Sequence, residues 1–326
     1  MSTQIVRIGQ RARVARMAHM RQAGLTIAEL MVAMALGLAV LLAAGTLLVG
    51  STRAHAALLH AAEMDDSGRY AVDALARAVR LAAHTDWERQ PESDPAAPAR
   101  IAGLDARSLT RTGAGIDALA PDVANGSDVL AVRFHGSGAP PDGDGATVDC
   151  AGFPVHRDEE GWSIFYVARN AQGESELRCK YRGAANWSSD AVAGKVDSFQ
   201  VLYGLDLDGD GAPERYLNAS GIAALDAALV LPGGTPDAQA AEFNKRTHWK
   251  RVATVRVALL LHGPRLDAAG GAGAAIVHDL FGPDYGALYG AADRGTRLAE
   301  TALAGRGAAH LRKVVGTTIA VPVAPE

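Results

Sequence analysis

Residues 21–53 read RQAGLTIAELMVAMALGLAVLLAAGTLLVGSTR, and this stretch decides the fold of the chain. From Leu30 to Thr52 it holds 23 residues without a charged side chain. At about 1.5 Å per residue, a helix of that length extends roughly 34 Å, which is enough to cross the hydrocarbon core of a bilayer. The sequence therefore predicts a membrane-spanning helix near the amino terminus.

A glycine stands just before this apolar stretch. A secretory signal ends its apolar stretch in a small-residue cleavage site, whereas Gly24 precedes the stretch, so cleavage there leaves the helix attached. Residues 24–31, GLTIAELM, resemble the type IV prepilin motif, which a dedicated peptidase cuts after the glycine before it methylates the new amino terminus. The resemblance implies that the mature chain begins at Leu25. Leu25 stands where the motif usually has phenylalanine, and Ala28 where it has a larger aliphatic residue.

Glu29 is an acid at the start of the apolar run. An unpaired carboxylate costs a few kcal/mol near the centre of a membrane helix, so this one is expected to seek a cation. Peptidase cleavage supplies a cation, because an α-amino group with an ordinary pKa of about 7.7 to 8.0 is mostly protonated at neutral pH. The prepilin resemblance implies that Glu29 meets the amino terminus of a neighbouring subunit and sets the stagger of a growing filament. The alternative is an interfacial glutamate that reaches the lipid headgroups by itself.

Positive charge is concentrated before the span. No acidic residue precedes Glu29, whereas five arginines do: Arg7, Arg11, Arg13, Arg16 and Arg21. By the positive-inside rule, the leader stays in the cytoplasm and the body of the chain is exported across the inner membrane. Without those five arginines, 27 of the 32 basic residues remain against 36 acidic ones, which gives a formal charge of −9. A mature chain with that charge is not expected to bind nucleic acid.

The chain has two cysteines, Cys150 and Cys179, and both lie in the part predicted to be exported. A bacterial periplasm allows cysteines to pair, so we predict a disulfide, to which the chain-entropy relation assigns about 3 to 4 kcal/mol. Two free buried thiols are the alternative. Neither cysteine belongs to a CxxC pair or lies beside closely spaced histidines, which argues against a zinc site.

The helical pattern continues beyond the membrane span. Small apolar residues recur at helical spacing between Ala54 and Ala62, and again between Ala71 and Ala82. Between these runs, residues 65–68 predict an interruption, at which Gly68 loosens or kinks the helix. We expect the first half of the helix to be exposed to other helices and the second half to be buried against a sheet.

The chain beyond the polar, proline-bearing residues 84–98 is mostly β-like. Alternating apolar residues, typical of strands with one buried face, occur at 129–135, 163–168, 177–181, 196–203, 252–261 and 311–321. Glycine- and proline-rich connectors separate them at 136–146, 232–239 and 263–275. We predict an α+β fold in which a long N-terminal helix, membrane-spanning in its first half, packs on a C-terminal antiparallel β-sheet head.

Several later segments resemble the PilW family of minor pilins. They are SGRYA at 67–71, LAR at 75–77, YG at 203–204 with DLDGDG at 206–211, RY at 215–216, and the closing strand at 312–321. The two cysteines also stand where that family tends to have them. The resemblance implies a pilin-like organisation, with a leader at 1–24, a transmembrane helix at 25–52, its periplasmic continuation at 53–84 and a head at 85–326. Residues 218–242 have no counterpart in this resemblance.

The function that the PilW resemblance implies is structural. A minor pilin joins other minor pilins to prime pilus assembly, and it stays at or near the filament tip, where it supports twitching motility and adhesion. The implied partners are other minor pilins, the major pilin, the prepilin peptidase, the inner-membrane assembly machinery and a tip adhesin. The expected final location is the pilus at the cell surface.

The most chemically distinctive segment is DLDGDG at residues 206–211. The carboxylates of Asp206, Asp208 and Asp210 can place several hard oxygen ligands around one calcium ion, and the glycines permit a sharp turn. The twelfth position is Leu217, which cannot complete an EF-hand loop, and Pro213 argues against a helix that follows at once.

A further oxygen ligand can come from Glu214 or Asp226. The alternative to a calcium site is a plain Asp/Gly turn that joins the strand ending at Tyr203 to a short strand around Tyr216. No cofactor is required by the predicted function, so calcium is the one candidate. The similar run at 142–145 is expected to be a solvated loop.

The sequence does not predict an enzyme, since it contains no HExxH, GxSxG or GxxxxGK[ST] motif. Histidines 248, 262, 278 and 310 are expected to be surface or packed residues rather than metal ligands. Two other functions remain open. A pseudopilin of a type II secretion system shares the processed helix and the small β head, although residues 203–211 favour the pilus. A membrane-tethered, calcium-binding adhesin that acts alone should tolerate Glu29→Ala, whereas a filament subunit should not.

Overall fold

The structure is a computed structural model, and it describes residues 24, 26–82, 84, 94–183, 185–265, 276–303 and 310–322. The leader up to residue 23 with its five arginines, and Leu25, lie outside the described residues, as does most of the loop predicted at 84–98. The chain divides into two compact units, Met1–Ala57 and Leu58–Glu326.

The first helix, α1, runs from Ile27 to Leu81 over 55 residues and contributes to both units. In the first unit, every described side chain from Thr26 to Ala57 is exposed. By length and composition, α1 is long and apolar enough to cross a membrane. This property agrees with the span predicted at residues 25–52.

The interruption predicted at residues 65–68 was wrong, because α1 is continuous through them. An added Cβ on Gly68 would lie 2.9 Å from Val315 Cγ2 and 3.0 Å from Leu261 Cδ1, so the glycine allows the helix to approach these two side chains closely. Asp65 forms an ion pair with Lys313. These contacts stabilise a turn of helix that glycine would weaken by about 1 kcal/mol through its low helix propensity.

The first five strands form an antiparallel sheet in the order in which they follow along the chain. They are β1 (Ile101–Leu104), β2 (Val129–His135), β3 (Glu160–Arg169), β4 (Ser175–Arg182) and β5 (Trp187–Gly194). The strands predicted at 129–135, 163–168 and 177–181 are confirmed. The sequence pattern did not predict β1 and β5.

The rest of the head builds a second antiparallel sheet and the elements that cover it. In chain order these are β6 (Val196–Leu205), β7 (Arg215–Leu217), α2 (Ala219–Ala227), α3 (Pro236–Arg246), a 3₁₀ helix (His248–Arg251), β8 (Val252–Arg265), β9 (Val277–Asp279), α4 (Pro283–Tyr289), β10 (Arg297–Ala299), α5 (Glu300–Leu303) and β11 (His310–Ala320). The four-stranded sheet has the order β11-β8-β6-β7, and β9 pairs with β10. The strands predicted at 196–203, 252–261 and 311–321 are confirmed.

The main core of the head lies where the buried half of α1 meets both larger sheets. Leu75 and Val79 of α1 pack in one cluster with Phe165 of β3, Phe199 of β6 and Leu259 of β8. Each large apolar side chain that is fully buried contributes roughly 1.5 to 3 kcal/mol. The predicted α+β layout, with a helix packed on antiparallel strands, is confirmed.

A second cluster covers the opposite face of the four-stranded sheet. Leu202 of β6 and Leu260 of β8 pack there against Leu280 and Phe281, which follow β9. Residues 276–303 thus close the outer face of β6 and β8. Residues 218–242, whose role the sequence left open, form α2 and the first part of α3.

Candidate functional sites

The start of α1 holds the residues predicted to carry processing and assembly. Gly24 is exposed, and an added Cβ there would meet no atom within 4 Å, so the fold itself does not require a glycine. A requirement for glycine at this position would therefore come from a molecule that recognises the chain, such as a peptidase. Leu25, the predicted new amino terminus, lies outside the described residues.

Glu29 and Thr26 form reciprocal hydrogen bonds at the first turn of α1. Oε2 of Glu29 accepts hydrogen bonds from the Thr26 backbone N–H at 3.0 Å and from the Thr26 hydroxyl at 3.1 Å. The backbone N–H of Glu29 donates to the Thr26 hydroxyl oxygen at 3.3 Å. This reciprocal pair is a capping box, which satisfies N–H groups that have no partner within the helix. The TxxE spacing of residues 26–29 is the sequence signal that would have predicted it.

The first unit presents an apolar surface with no protein neighbour among the described residues. Met34, Leu41 and Leu47 are 68%, 70% and 75% exposed. A Cβ built on Gly37 or Gly45 would meet nothing within 4 Å. Lipid or other helices can cover an apolar surface of this length, and small residues such as glycine let helices approach each other.

The two cysteines form the predicted disulfide. Cys150 and Cys179 have Cα atoms 5.9 Å apart and lie 29 residues apart in the chain. Cys179 is buried in the main core on β4, and Cys150 packs at its border from the loop between β2 and β3. The backbone N–H of Cys150 also donates to the Ser163 hydroxyl at 3.0 Å. The disulfide therefore fastens the β2–β3 loop to the core.

The acidic segment at 206–211 forms a tight turn between β6 and β7. Oδ1 of Asp206 accepts a hydrogen bond from the Gly209 N–H at 2.6 Å, and Oδ2 accepts one from the Gly211 N–H at 2.8 Å. Both glycines have positive φ, 86° and 87°, which a residue with a side chain would adopt only with strain. The turn that joins β6 to the short strand around Tyr216 is thus present.

The same turn brings four carboxylates together. One oxygen from each of Asp206, Asp208, Asp210 and Glu214 lies within 4.8 Å of the others. A hydrogen bond from the Asp210 backbone lowers the pKa of Asp208, but desolvation and the neighbouring carboxylates of Asp210 and Glu214 outweigh it and raise the pKa. Repulsion of this kind is relieved by a cation, and hard oxygen donors suit calcium.

Asp226, the other acid considered for this site, lies elsewhere. Its carboxylate accepts a hydrogen bond from the Thr247 hydroxyl at 2.6 Å and contacts His248 Nδ1 at 2.7 Å. Asp226 therefore fastens the end of α2 to the turn before β8. Glu214 is the residue that joins the three aspartates, and calcium binding itself stays a prediction.

A buried network of ionisable groups connects β6, β11 and α5. Asp197 contacts His262 Nδ1 at 2.9 Å and accepts a hydrogen bond from Arg312 Nε at 2.7 Å. Arg312 also pairs with Glu300, which contacts His278 Nε2 at 3.0 Å. Burial raises the pKa of Asp197, but the hydrogen bonds from His262 and Arg312 outweigh burial and lower the pKa. His262 and His278 are therefore packed residues, and sequence reasoning missed their acidic partners.

Residues 164–322 match the family model of PilW, which is described as type IV pilus-assembly protein W. The matched region begins within β3 and continues past the end of β11, so it includes the whole four-stranded sheet and the acidic turn. No curated protein and no solved structure matches the chain.

Proposed function

We propose that this chain, which belongs to the PilW family over residues 164–322, is a minor type IV pilin that takes part in pilus assembly. One observation carries the proposal: a PilW-type head is joined in the same chain to an exposed apolar helix that has Glu29 in its first turn and is preceded by Gly24. The head relates the chain to the pilus. The helix supplies the kind of element that can lie first in a membrane and then against other helices in a filament.

The proposed processing and location rest on the arginine-rich leader, Gly24 and the apolar helix that follows. In this proposal the prepilin peptidase cuts after Gly24 and methylates the amino group of Leu25, while the arginine-rich leader stays in the cytoplasm. The helix at 25–52 anchors the chain in the inner membrane with its head in the periplasm. The chain then enters the pilus and reaches the cell surface.

One carboxylate oxygen of Glu29 can still accept a hydrogen bond in an assembly contact. Both hydrogen bonds from Thr26 go to Oε2 of Glu29, and among the described residues Oε1 has no partner. The capping box also sets the direction of the side chain. A protonated amino terminus of a neighbouring subunit can therefore pair with Oε1 while the helix start stays intact.

The finer role that we propose is to join other minor pilins in a complex that primes assembly and stays at or near the filament tip. Its partners would be those minor pilins, the major pilin and the inner-membrane machinery, with a tip adhesin as a further one. Twitching motility and adhesion would follow from the pilus. The PilW match favours pilus assembly over a role as a pseudopilin of a type II secretion system.

A gene deletion complemented with wild type tests this function. We expect the deletion strain to lose sheared surface pili and twitching, to secrete proteins normally, and to recover pili with the wild-type gene. Loss of secretion with normal pili would instead assign the chain to a type II system. Normal pili together with normal secretion would contradict both assignments.

Calcium is a separate part of the proposal. We propose that the turn at 206–214 binds one calcium ion through Asp206, Asp208, Asp210 and Glu214, whose oxygens already lie within 4.8 Å of one another. The ion would supply no reaction; it would neutralise these carboxylates and hold β6 to β7. The pilus function does not depend on this site.

A further inference from the structure

Each of the two larger sheets ends in two edge strands, and three of the four edges offer little for pairing. β1 has four residues and β7 has three. On β5, the Ser189 carbonyl is already held by Arg178 and by Arg111, the latter at 3.2 Å. A register shift also interrupts the β4–β5 ladder between Leu177 and Arg178. Short strands, charged side chains and bulges are the devices by which proteins protect sheet edges.

β11 is the exception. It has 11 residues and pairs with β8 on one side only, and its register shift lies at the start, between His310 and Arg312. The following residues 314–320, VVGTTIA, contain no charge and no proline. Val314, Gly316, Thr318 and Ala320 are exposed on one face of the strand. Among the described residues, no hydrogen bond reaches the outer side of this stretch. Such an edge is a template for another strand.

The packing of α1 on the sheet determines the direction of β11. Asp65 of α1 pairs with Lys313, and Gly68, one turn later, lies against Val315. The second half of α1 and β11 therefore run in the same direction. If a second copy of this chain paired antiparallel through its own β11, its helix would point the opposite way. Two copies whose helices point the same way could pair through β11 only in parallel, which is slightly less stable per residue than antiparallel pairing.

We propose that residues 314–320 of β11 bind an edge strand of a different pilus subunit by antiparallel strand addition. This inference rests on the proposed pilus function. The fitting partner carries an N-terminal membrane helix and an uncharged edge strand, rich in β-branched residues, that runs antiparallel to that helix. Antiparallel ladders are slightly more stable per residue than parallel ones, and uncharged β-branched residues match Val314 and Thr318 across the strands.

The test uses the full-length chain in piliated cells, with a photo-crosslinking residue in place of Val314. We expect a cross-link that mass spectrometry maps to a strand of another subunit with a prepilin-type amino terminus. A matched probe at Ala191, exposed on β5, should yield at least about tenfold less of this adduct, which corresponds to a difference of about 1.4 kcal/mol or more in binding. Cross-linking to a copy of the same chain, to an unrelated protein or to none, or equal yields at both positions, would overturn the proposal.

A pair of substitutions at Thr318 tests the pairing itself. Thr318 lies opposite Arg256 in the β11–β8 ladder, so Thr318→Glu gains a favourable cross-strand neighbour within the head. It also places a charge on the docking edge, and we expect the Val314 adduct to fall about tenfold or more. Thr318→Val keeps an uncharged β-branched residue and should preserve the adduct. Equal adduct yields from the two variants, with wild-type melting temperatures, would contradict strand addition.

The two proposals can fail separately. If deletion of the gene abolishes pili but the Val314 probe gives no subunit adduct, the pilus function stands and the β11 proposal is wrong. If the deletion leaves pili intact, the pilus function is wrong whatever the probe captures.

Discussion

Thr26 and Glu29 form a reciprocal capping box in which Oε2 of Glu29 accepts the Thr26 N–H at 3.0 Å and the Thr26 hydroxyl oxygen accepts the Glu29 N–H at 3.3 Å. The residue proposed to guide assembly therefore has a second role within its own helix. Loss of Glu29 removes both roles at once, so Glu29→Ala alone cannot separate them.

Glu29→Gln separates charge from capping. Glutamine can replace glutamate in a capping box, but it cannot form an ion pair with a protonated amino terminus. We therefore expect Glu29→Gln to be as defective in surface pili as Glu29→Ala. Thr26→Ala should cost about 0.5 to 2 kcal/mol of helix stability and still allow pili to form. Wild-type piliation in Glu29→Gln would show that the charge is not needed.

Removal of the disulfide should destabilise the head. The bond between Cys150 and Cys179 closes a segment with a sequence separation of 29, for which the chain-entropy relation gives about 3 to 4 kcal/mol. We expect the double variant Cys150→Ala and Cys179→Ala to lose about that much free energy of unfolding. Urea unfolding of the full chain in detergent, followed by tryptophan fluorescence, measures this loss. Reduction of wild type should give a similar shift, and no shift in either case would contradict the prediction.

Gly68 is predicted to be a packing position. Gly68→Val adds atoms where a Cβ would already lie 2.9 Å from Val315, and overpacking of this kind typically costs about 1 to 3 kcal/mol. Gly68→Ala should be closer to neutral, because higher helix propensity offsets part of the crowding by about 1 kcal/mol. Gly45→Val, at a position with nothing within 4 Å, is the matched control and should leave head unfolding unchanged. Equal unfolding curves for Gly68→Val and Gly45→Val would refute the packing role.

Calcium should raise the melting temperature of the head if the acidic turn binds it. An ion that binds only the folded state stabilises it by mass action, by about 2.7 kcal/mol when its concentration is 100 times the dissociation constant. The variant with both Asp208→Ala and Asp210→Ala should lose this gain and should melt equally in calcium and in chelator. Asp142→Ala with Asp144→Ala, in the other acidic loop, is the control and should keep the calcium response. A wild type that melts at the same temperature in calcium and in chelator would rule out the site.

Asp149 should make the head less stable as the pH rises through mildly acidic values. Burial raises its pKa to about 6, against hydrogen bonds from Phe153, Ala151 and Gly152. Because the folded state then keeps its proton to higher pH than the unfolded chain, stability falls between about pH 4 and 6 and is level above. Asp149→Asn retains an acceptor for the N–H groups of Ala151 and Phe153 and should make this fall smaller. Unfolding free energies measured from pH 4 to 7 would contradict the prediction if both proteins gave the same profile.

The sequence predicted those strands whose apolar residues alternate clearly, such as β2, β8 and β11. It missed β1, which has only four residues, and β5, an edge strand whose small and polar residues WSSDAVAG carry little apolar signal. The interruption of α1 predicted at residues 65–68 was wrong, because helix propensity takes no account of the packing of Gly68 against Val315.

For the candidate sites, the sequence identified groups of residues that are close in the chain and missed those that only the fold brings together. The three aspartates at 206–210 were found because they are close in sequence. The sequence could not decide whether Glu214 or Asp226 is the fourth ligand. Only the fold shows that Asp226, at the end of α2, lies beside Thr247 and away from the turn. The pairing of Asp197 with Arg312 spans 115 residues, and no local pattern indicates it.

The most direct test of the central claim is mass spectrometry of this chain in sheared, purified pili. We predict that it is present there with Leu25 as its first residue and a methylated α-amino group. Its absence from pili while it accumulates in the membrane, or its presence with the leader still attached, would contradict its assignment as a processed pilin subunit.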